Sequence, residues 1–461
     1  MSLSHRLNLM KSNTLDTSST KQSFGDDFAW GVSTAAVQIE GAHDADGKGP
    51  SIWDTFSSLK GKILHGHHHY TACDFYNCYE QDIDLVKQLN IPNFRFSIAW
   101  TRILPNGIGE VNQAGVDHYH KVIDYCHKQG VEPWITLYHW DLPQALEDRG
   151  GWTNRDIISW FTEFVGVCAK NFGGKVKHWM VMNEPSVFTG AGYFFGIHAP
   201  GRSGLKHFVP AVHHVTMSMA AGGRVLRDIL PDANIGTTFS CSWIEPYSDK
   251  PRDVAAAKRA DALINRLFIE PILGLGYPVA DLPVLKQLDK YIQPGDLDNL
   301  KFNFDFIGLQ NYTREIVKYS FFTPYIKAKL VKAEHRNVPL TDMRWEVYPE
   351  SIYHVIKKFD RYPQIKAIYL TENGAAFPDT VVENEVNDLK RMQYLQDYLA
   401  QVLKAINEGA KVKGYFVWTL TDNFEWAEGY HPRFGIIYVD FDTQKRIIKA
   451  SGKWYAQFLK S

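Results

Sequence analysis

The sequence predicts an α/β fold: a single-domain (β/α)8 TIM barrel with long strand-to-helix loops. Short apolar runs alternate with amphipathic segments along the chain, and eight such runs can be marked, the number that closes a parallel sheet into a barrel. No glycine-rich phosphate loop follows an early run, which counts against an open nucleotide-binding sheet. The runs are Phe28 to Ser33, Phe94 to Trp100, Pro133 to His139, His178 to Asn183, Asn234 to Cys241, Phe304 to Asn311, Ala367 to Glu372 and Tyr415 to Leu420. Each is short and mostly apolar, as strands covered on both faces are. Between them, Tyr79 to Leu89, Ala114 to Gln129, Asn154 to Phe172 and Asp388 to Ile406 repeat apolar residues at three- and four-residue spacing, the mark of helices with one buried face.

A minimal barrel needs about 250 residues, so much of this 461-residue chain is surplus to it. We expect the surplus in loops: His43 to Ala72, Gly190 to Lys206, Tyr312 to Tyr348 and Thr421 to Ala450. No proline- or serine-rich linker and no internal repeat marks a second domain. The expected organisation is a disordered polar leader over 1–22 and one barrel domain over 23–461. Fifty basic against 51 acidic side chains leave a net charge of −1, which gives no electrostatic case for nucleic acid or an anionic membrane and suits a neutral substrate. Five scattered cysteines, an odd number, argue against a disulfide framework and for a reducing, cytoplasmic setting. No apolar stretch is long enough to span a membrane.

Two carboxylate motifs stand at the ends of the fourth and seventh runs: Met182-Asn183-Glu184-Pro185 and Thr371-Glu372-Asn373-Gly374. In a barrel that end is the catalytic face. Two carboxyls in one pocket can be driven apart in pKa, leaving one as acid and one as nucleophile or base. Taken singly, a glutamate at a strand end serves equally well as the cap of a following helix. Other residues fall at or just beyond the same ends: Gln38, Arg95, His139, Trp140, Tyr312 and Trp418, with Glu425 and Trp426 beyond the eighth run. Polar groups interleaved with indoles suit a ring that carries hydroxyls on its edges and C–H groups on its faces, most simply a sugar.

From about Phe24 to Leu459 the chain resembles glycoside hydrolase family 1, the β-glucosidase family. The motifs that carry the likeness are Phe28-Ala29-Trp30-Gly31-Val32-Ser33-Thr34-Ala35, Gln38-Ile39-Glu40-Gly41, Phe94-Arg95-Phe96-Ser97-Ile98-Ala99-Trp100, His139-Trp140-Asp141-Leu142-Pro143, Asn183-Glu184-Pro185, Trp345-Glu346-Val347-Tyr348-Pro349-Glu350, Thr371-Glu372-Asn373-Gly374 and Asp422-Asn423-Phe424-Glu425-Trp426. The resemblance implies a retaining, exo-acting β-glycosidase releasing terminal β-D-glucosyl residues, and also β-fucosyl or β-galactosyl ones, with neither cofactor nor metal. Glu184 matches the acid/base and Glu372 the nucleophile; Arg95 and Tyr312 match partners that keep Glu372 ionised, and Asn183 a contact to the 2-hydroxyl. Gln38, His139, Trp140, Glu425 and Trp426 match the surroundings of the outer hydroxyls, with Glu425 expected as an anion that repels a 6-phosphate. Trp418 matches the indole under the sugar face, Trp345 a leaving-group platform and Phe434 a residue on the rim.

Gln310 departs from the family pattern, standing where an asparagine contacts the acid/base and aglycone region; Val37 stands where a tyrosine is common. The histidine run His65, His67, His68 and His69 beside Cys73 raises a metal site, but consecutive histidines point apart and we expect a structural loop. The expected partner is a β-glucoside or β-linked oligosaccharide, with no nucleic acid and no membrane, and self-association into a homo-oligomer left open. Transglycosylation on the same site and a non-catalytic sugar-binding barrel are the competing functions; the presence of both glutamates argues against the second.

Overall fold

A computed structural model describes residues 19–461. Eight parallel strands close into a barrel in chain order: Ala29–Ser33, Asn93–Ser97, Glu132–Tyr138, His178–Asn183, Asn234–Ser240, Phe306–Gln310, Ile368–Asn373 and Val412–Trp418. The first pairs with both the second and the eighth, so no edge remains, which removes the open-edge liability of a flat sheet. The helices Phe75–Gln88, Gln113–Gln129, Ile157–Phe172, Leu205–Ile229, Glu350–Asp360, Leu389–Asn407 and Ala450–Lys460 cross between strands on the outside. The crossover after the fifth strand is instead broken into short pieces, of which Pro251–Asp261 is the longest.

Alternation along the strands fills the interior in layers. Trp134, Met180, Phe306 and Phe416 form a separate buried cluster inside the barrel, and the indole of Trp134 stacks on the ring of His178 at 3.9 Å. Small residues make room for this layer. A Cβ on Gly31 would lie 2.2 Å from the Phe416 ring, and one on Gly236 would lie 2.3 Å from Phe306. The inner face is thus plugged by aromatics below and left for polar side chains above, as barrel layering requires.

The third crossing helix starts at Ile157 rather than at Asn154. Gly150 and Gly151 both have positive φ, and the Asn154 side chain accepts from the Asp156 amide at 2.9 Å, a local bond that competes with helix entry. The loops also hold structure that periodicity did not reveal. Trp243–Pro246, Arg314–Tyr319 and Ala328–Leu330 form a three-stranded sheet over the mouth, and Ile437–Val439 pairs with Arg446–Ile448. Of the expected leader, residues 1–18 lie outside the described residues. Lys21–Phe24 forms a short 3-10 turn, tied down by the Lys21 ammonium, which donates to the Leu459 carbonyl at 2.7 Å, and by Phe24 packed against Trp30.

Replacing Trp134 by alanine empties the centre of the interior layer, so we expect a destabilisation of about 3–5 kcal/mol, read as a lower midpoint of chemical denaturation.

Candidate active site

The two glutamates reach the mouth because their strands bulge. Along the fourth strand Met180 pairs with Gly236, yet Asn183 pairs with Thr238; three steps on one strand match two on the other. Along the seventh, Leu370 pairs with Leu309 but Glu372 with Gln310, two steps against one. Simple alternation from the inward Met180 would turn Asn183 outward. The extra residue re-aims it, and bulges next to active sites commonly do this. Glu184 follows at φ 47° and ψ 62°, a left-handed backbone that a glutamate adopts at some cost in strain.

Neither glutamate is a cap. Glu184 occupies the N-cap position of the short helix Pro185–Thr189, but its side chain makes no capping bond; Glu372 lies within its strand, and after Asn373 comes irregular chain, not a helix. Both carboxylates instead line one cavity of about 310 Å³.

Inside it they are solvated unequally. Glu372 accepts from the Arg95 guanidinium at 2.5 Å, the Gln310 amide at 2.8 Å and the Tyr312 hydroxyl at 2.7 Å. Glu184 accepts a long bond from the Asn183 amide, 3.3 Å, and a bond from the Ser240 hydroxyl, with no cation bonded to it. Burial pushes both carboxyls above the usual range, and the charge of Arg95 and the hydroxyl of Tyr312 pull Glu372 back. Burial and then the charge of Glu372 hold Glu184 well above it. Glu372 therefore ionises first. Tyr312 keeps its proton, because burial and the Glu372 charge push its pKa well up.

Arg95 is itself wholly buried and braced by the Thr136 hydroxyl at 3.0 Å. Its second arm donates to the side-chain oxygen Oδ1 of Asn183 at 2.5 Å, which also receives Gln310 at 2.7 Å and Thr238 at 2.9 Å. Three donors on that oxygen fix the amide orientation, so the Asn183 nitrogen donates to His139 Nε2 at 3.0 Å. The proton of His139 then sits on Nδ1. Burial, then Arg95, hold this imidazole well below its ordinary pKa and thus neutral.

At the base of the pocket Gln38 donates to the Asn423 side chain at 3.1 Å and to Glu425 at 3.2 Å. The loop carrying them is anchored by Asp422, which meets the buried Lys449 ammonium at 2.6 Å and Arg433 at 2.7 Å. Burial, then the charge of Glu372, push Glu425 up to about 8. The Gln38 amide opposes that rise, and hydroxyl donors on a bound sugar would favour the charged form further.

The indoles surround this floor. Trp140 donates to the main-chain carbonyl of Asn183 at 3.0 Å and packs on Trp426 at 4.5 Å, while Trp418 lies near the His139 ring at 6.1 Å. Trp345 is half-buried and meets Tyr312 at 5.4 Å. Phe434 lines the same cavity, buried at 3% exposure against Tyr312 and Trp345.

All thirteen anticipated residues border the cavity or bond directly to one that does. The amide of Gln310 faces Glu372 and Asn183, the neighbour of the acid/base Glu184. Thr136 and Thr238 were not anticipated, although each is a polar residue at an inward strand position; His198 and Glu315 come from loops, where no period marks them. The histidine run diverges: His69 meets Asp54 at 3.1 Å, His67 accepts from the Tyr430 amide at 3.1 Å, and His68 stacks on Tyr70. All five cysteines are free, and among the described residues no helix is long and apolar enough to cross a membrane.

A barrel with two buried, unequally held glutamates on its carboxyl-terminal face has the outline of a glycosidase. The model of glycosyl hydrolase family 1 matches residues 20–461. β-Glucosidase A of Thermotoga maritima is 44% identical, over 95% of this chain and 98% of its own. β-Glucosidase A of Acetivibrio thermocellus is 43% identical, over 96% and 99%. The solved family 1 β-glucosidase from Thermotoga maritima superposes with a TM-score of 0.90 at 43% identity, covering 94% of this chain and 98% of that one. The chain belongs to glycosyl hydrolase family 1.

Arg95→Met should destabilise the fold more at pH 8 than at pH 5. Without the guanidinium the folded-state pKa of Glu372 rises further, so stability is lost as pH rises and burial of the anion goes uncompensated. Denaturation at the two pH values reads the difference.

Proposed function

We propose that the protein is a retaining, exo-acting β-glucosidase that removes terminal non-reducing β-D-glucosyl residues from oligosaccharides or from aryl and alkyl glucosides. The observation that carries this reading is the unequal solvation of the two carboxyls: the Arg95 guanidinium and two further donors on Glu372, a long amide contact and one hydroxyl on Glu184. An ionised carboxylate beside a protonated one is what double displacement requires. Relatives named β-glucosidase, and a 43% identical 1,4-β-D-glucan glucohydrolase of Thermotoga neapolitana, support it.

In the first step an oxygen of Glu372 bonds to the anomeric carbon while the bond to the leaving oxygen breaks, and Glu184 gives that oxygen its proton. The new ester removes the negative charge that had raised Glu184, which can now take a proton from water as that water attacks the same carbon. The Glu372 ester bond breaks, and the sugar leaves with its β configuration. Arg95, Gln310 and Tyr312 stabilise the departing carboxylate in this second step, as they did the attacking one.

The 2-hydroxyl of the sugar replaces the long contact between Asn183 and Glu184. Gln38, His139, Trp140, Glu425 and Trp426 take the outer hydroxyls, and Trp418 lies under the ring. Glucose, fucose and galactose differ in few of these contacts, so all three β-glycosides are accepted. Five free cysteines are in keeping with a reducing compartment, the cytoplasm.

Glu372→Ala should end turnover of p-nitrophenyl β-glucoside with the fold retained by circular dichroism; undiminished activity would overturn the assignment. Glu184→Ala should cost about 10²–10⁴-fold in kcat on glucosides with poor leaving groups and much less on those with good ones, since these need little protonation. Equal losses on both would contradict the acid role.

A further inference from the structure

Glu315 belongs to neither the barrel nor the motifs, yet it lines the active-site cavity. It lies on Arg314–Tyr319, a strand of the small sheet over the mouth, three residues beyond Tyr312. Together with Thr313, Met343 and Trp345 it also borders a second cavity, of about 300 Å³, on the far side. The glycone end of the active-site cavity is closed by the bond between Gln38 and Glu425. Glu315 thus stands at the other end, where the chain has a further chamber.

The carboxyl of Glu315 has no hydrogen-bond or ion-pair partner among the described residues, while the neighbouring cations are engaged elsewhere. Arg314 binds Glu346 at 2.9 Å and Glu245 at 3.1 Å, and Arg336 binds Glu346 at 2.6 Å. A half-buried carboxyl facing a cavity without a partner is the condition in which a ligand supplies one. Burial pushes it up to about 7, with Arg336 opposing and Glu346 adding to the rise, so near neutral pH it can both donate and accept. That suits a hydroxyl better than an ion.

We propose that Glu315 is a specificity residue for the leaving group, hydrogen-bonding a hydroxyl of a glycosyl aglycone at the passage into the second cavity, so that the enzyme favours oligosaccharides over unsubstituted aryl glucosides. The proposal rests on the β-glucosidase reading above and deepens it. An aryl leaving group has no hydroxyl to offer there; a glucosyl unit has several, and the second chamber has room for another unit beyond it.

The test is the ratio of kcat/KM on cellobiose and cellotriose to kcat/KM on p-nitrophenyl β-glucoside, measured for the wild type, Glu315→Ala and Glu315→Gln. We expect alanine to lower the ratio roughly tenfold, the worth of one hydrogen bond to an ionisable group. Glutamine keeps a donor and an acceptor and should lower it less. A ratio unchanged within about twofold in both variants overturns the proposal, and if the alanine variant does not fold, the glutamine variant decides in the same terms. Failure of the wild type to cleave any of the three substrates would instead overturn the β-glucosidase reading itself.

Discussion

The rest of the site depends on the guanidinium of Arg95. It is buried with no exposure, and an ion pair so placed contributes little net stability, since desolvation offsets attraction. Its value is geometric. One arm meets Glu372 on the seventh strand and the other meets Asn183 on the fourth, so a single rigid fork spans the barrel and sets the two carboxylate motifs against each other. Asn183 relays the constraint to His139, and its carbonyl holds Trp140. Gln310 repeats it from the sixth strand, donating to both Glu372 and Asn183. Moving any one of these groups would leave a buried donor or acceptor unpaired, and that penalty keeps the constellation fixed.

This arrangement separates chemistry from recognition. The upper layer of the barrel wall carries the reacting carboxylates on rigid strands, whereas the groups that meet the rest of the substrate hang on loops. At the glycone end the loop with Asn423, Glu425 and Trp426 is itself braced by the buried Asp422–Lys449 pair. At the leaving-group end the small sheet over the mouth carries Glu315 and is held by Arg314, which pairs with Glu245 and Glu346. Loops vary where strands cannot, so specificity at that end can change without disturbing proton transfer.

Much of this was legible in the sequence. The eight apolar runs announced the barrel because strands covered on both faces must be apolar throughout, and Glu184 and Glu372 could be placed at their ends by position alone. The bulges at Asn183 and Glu372 were not legible, because a register shift is a relation between two strands and leaves no periodic trace in either. For the same reason the bond from Gln310 to Glu372 was not legible: the resemblance set the position against the acid/base and aglycone region, and pairing with the bulged seventh strand puts its amide on Glu372 and Asn183. The burial of Glu425 close to Glu372, which pushes its pKa up, is likewise a long-range fact that its motif does not carry. Glu315 sits in a loop strand whose partners, Trp243–Pro246 and Ala328–Leu330, lie far off in sequence.

The central claim is that Glu372 ionises first and that its charge keeps Glu184 protonated. The direct measurement is the titration of the two side-chain carboxyl carbons by 13C NMR, in the free enzyme and after Glu372 has been trapped as a stable 2-fluoroglucosyl ester. The account predicts that Glu372 titrates below Glu184 in the free enzyme, and that trapping lowers the pKa of Glu184 by removing the neighbouring charge. Glu184 titrating below Glu372, or a Glu184 titration that trapping leaves in place, would contradict it.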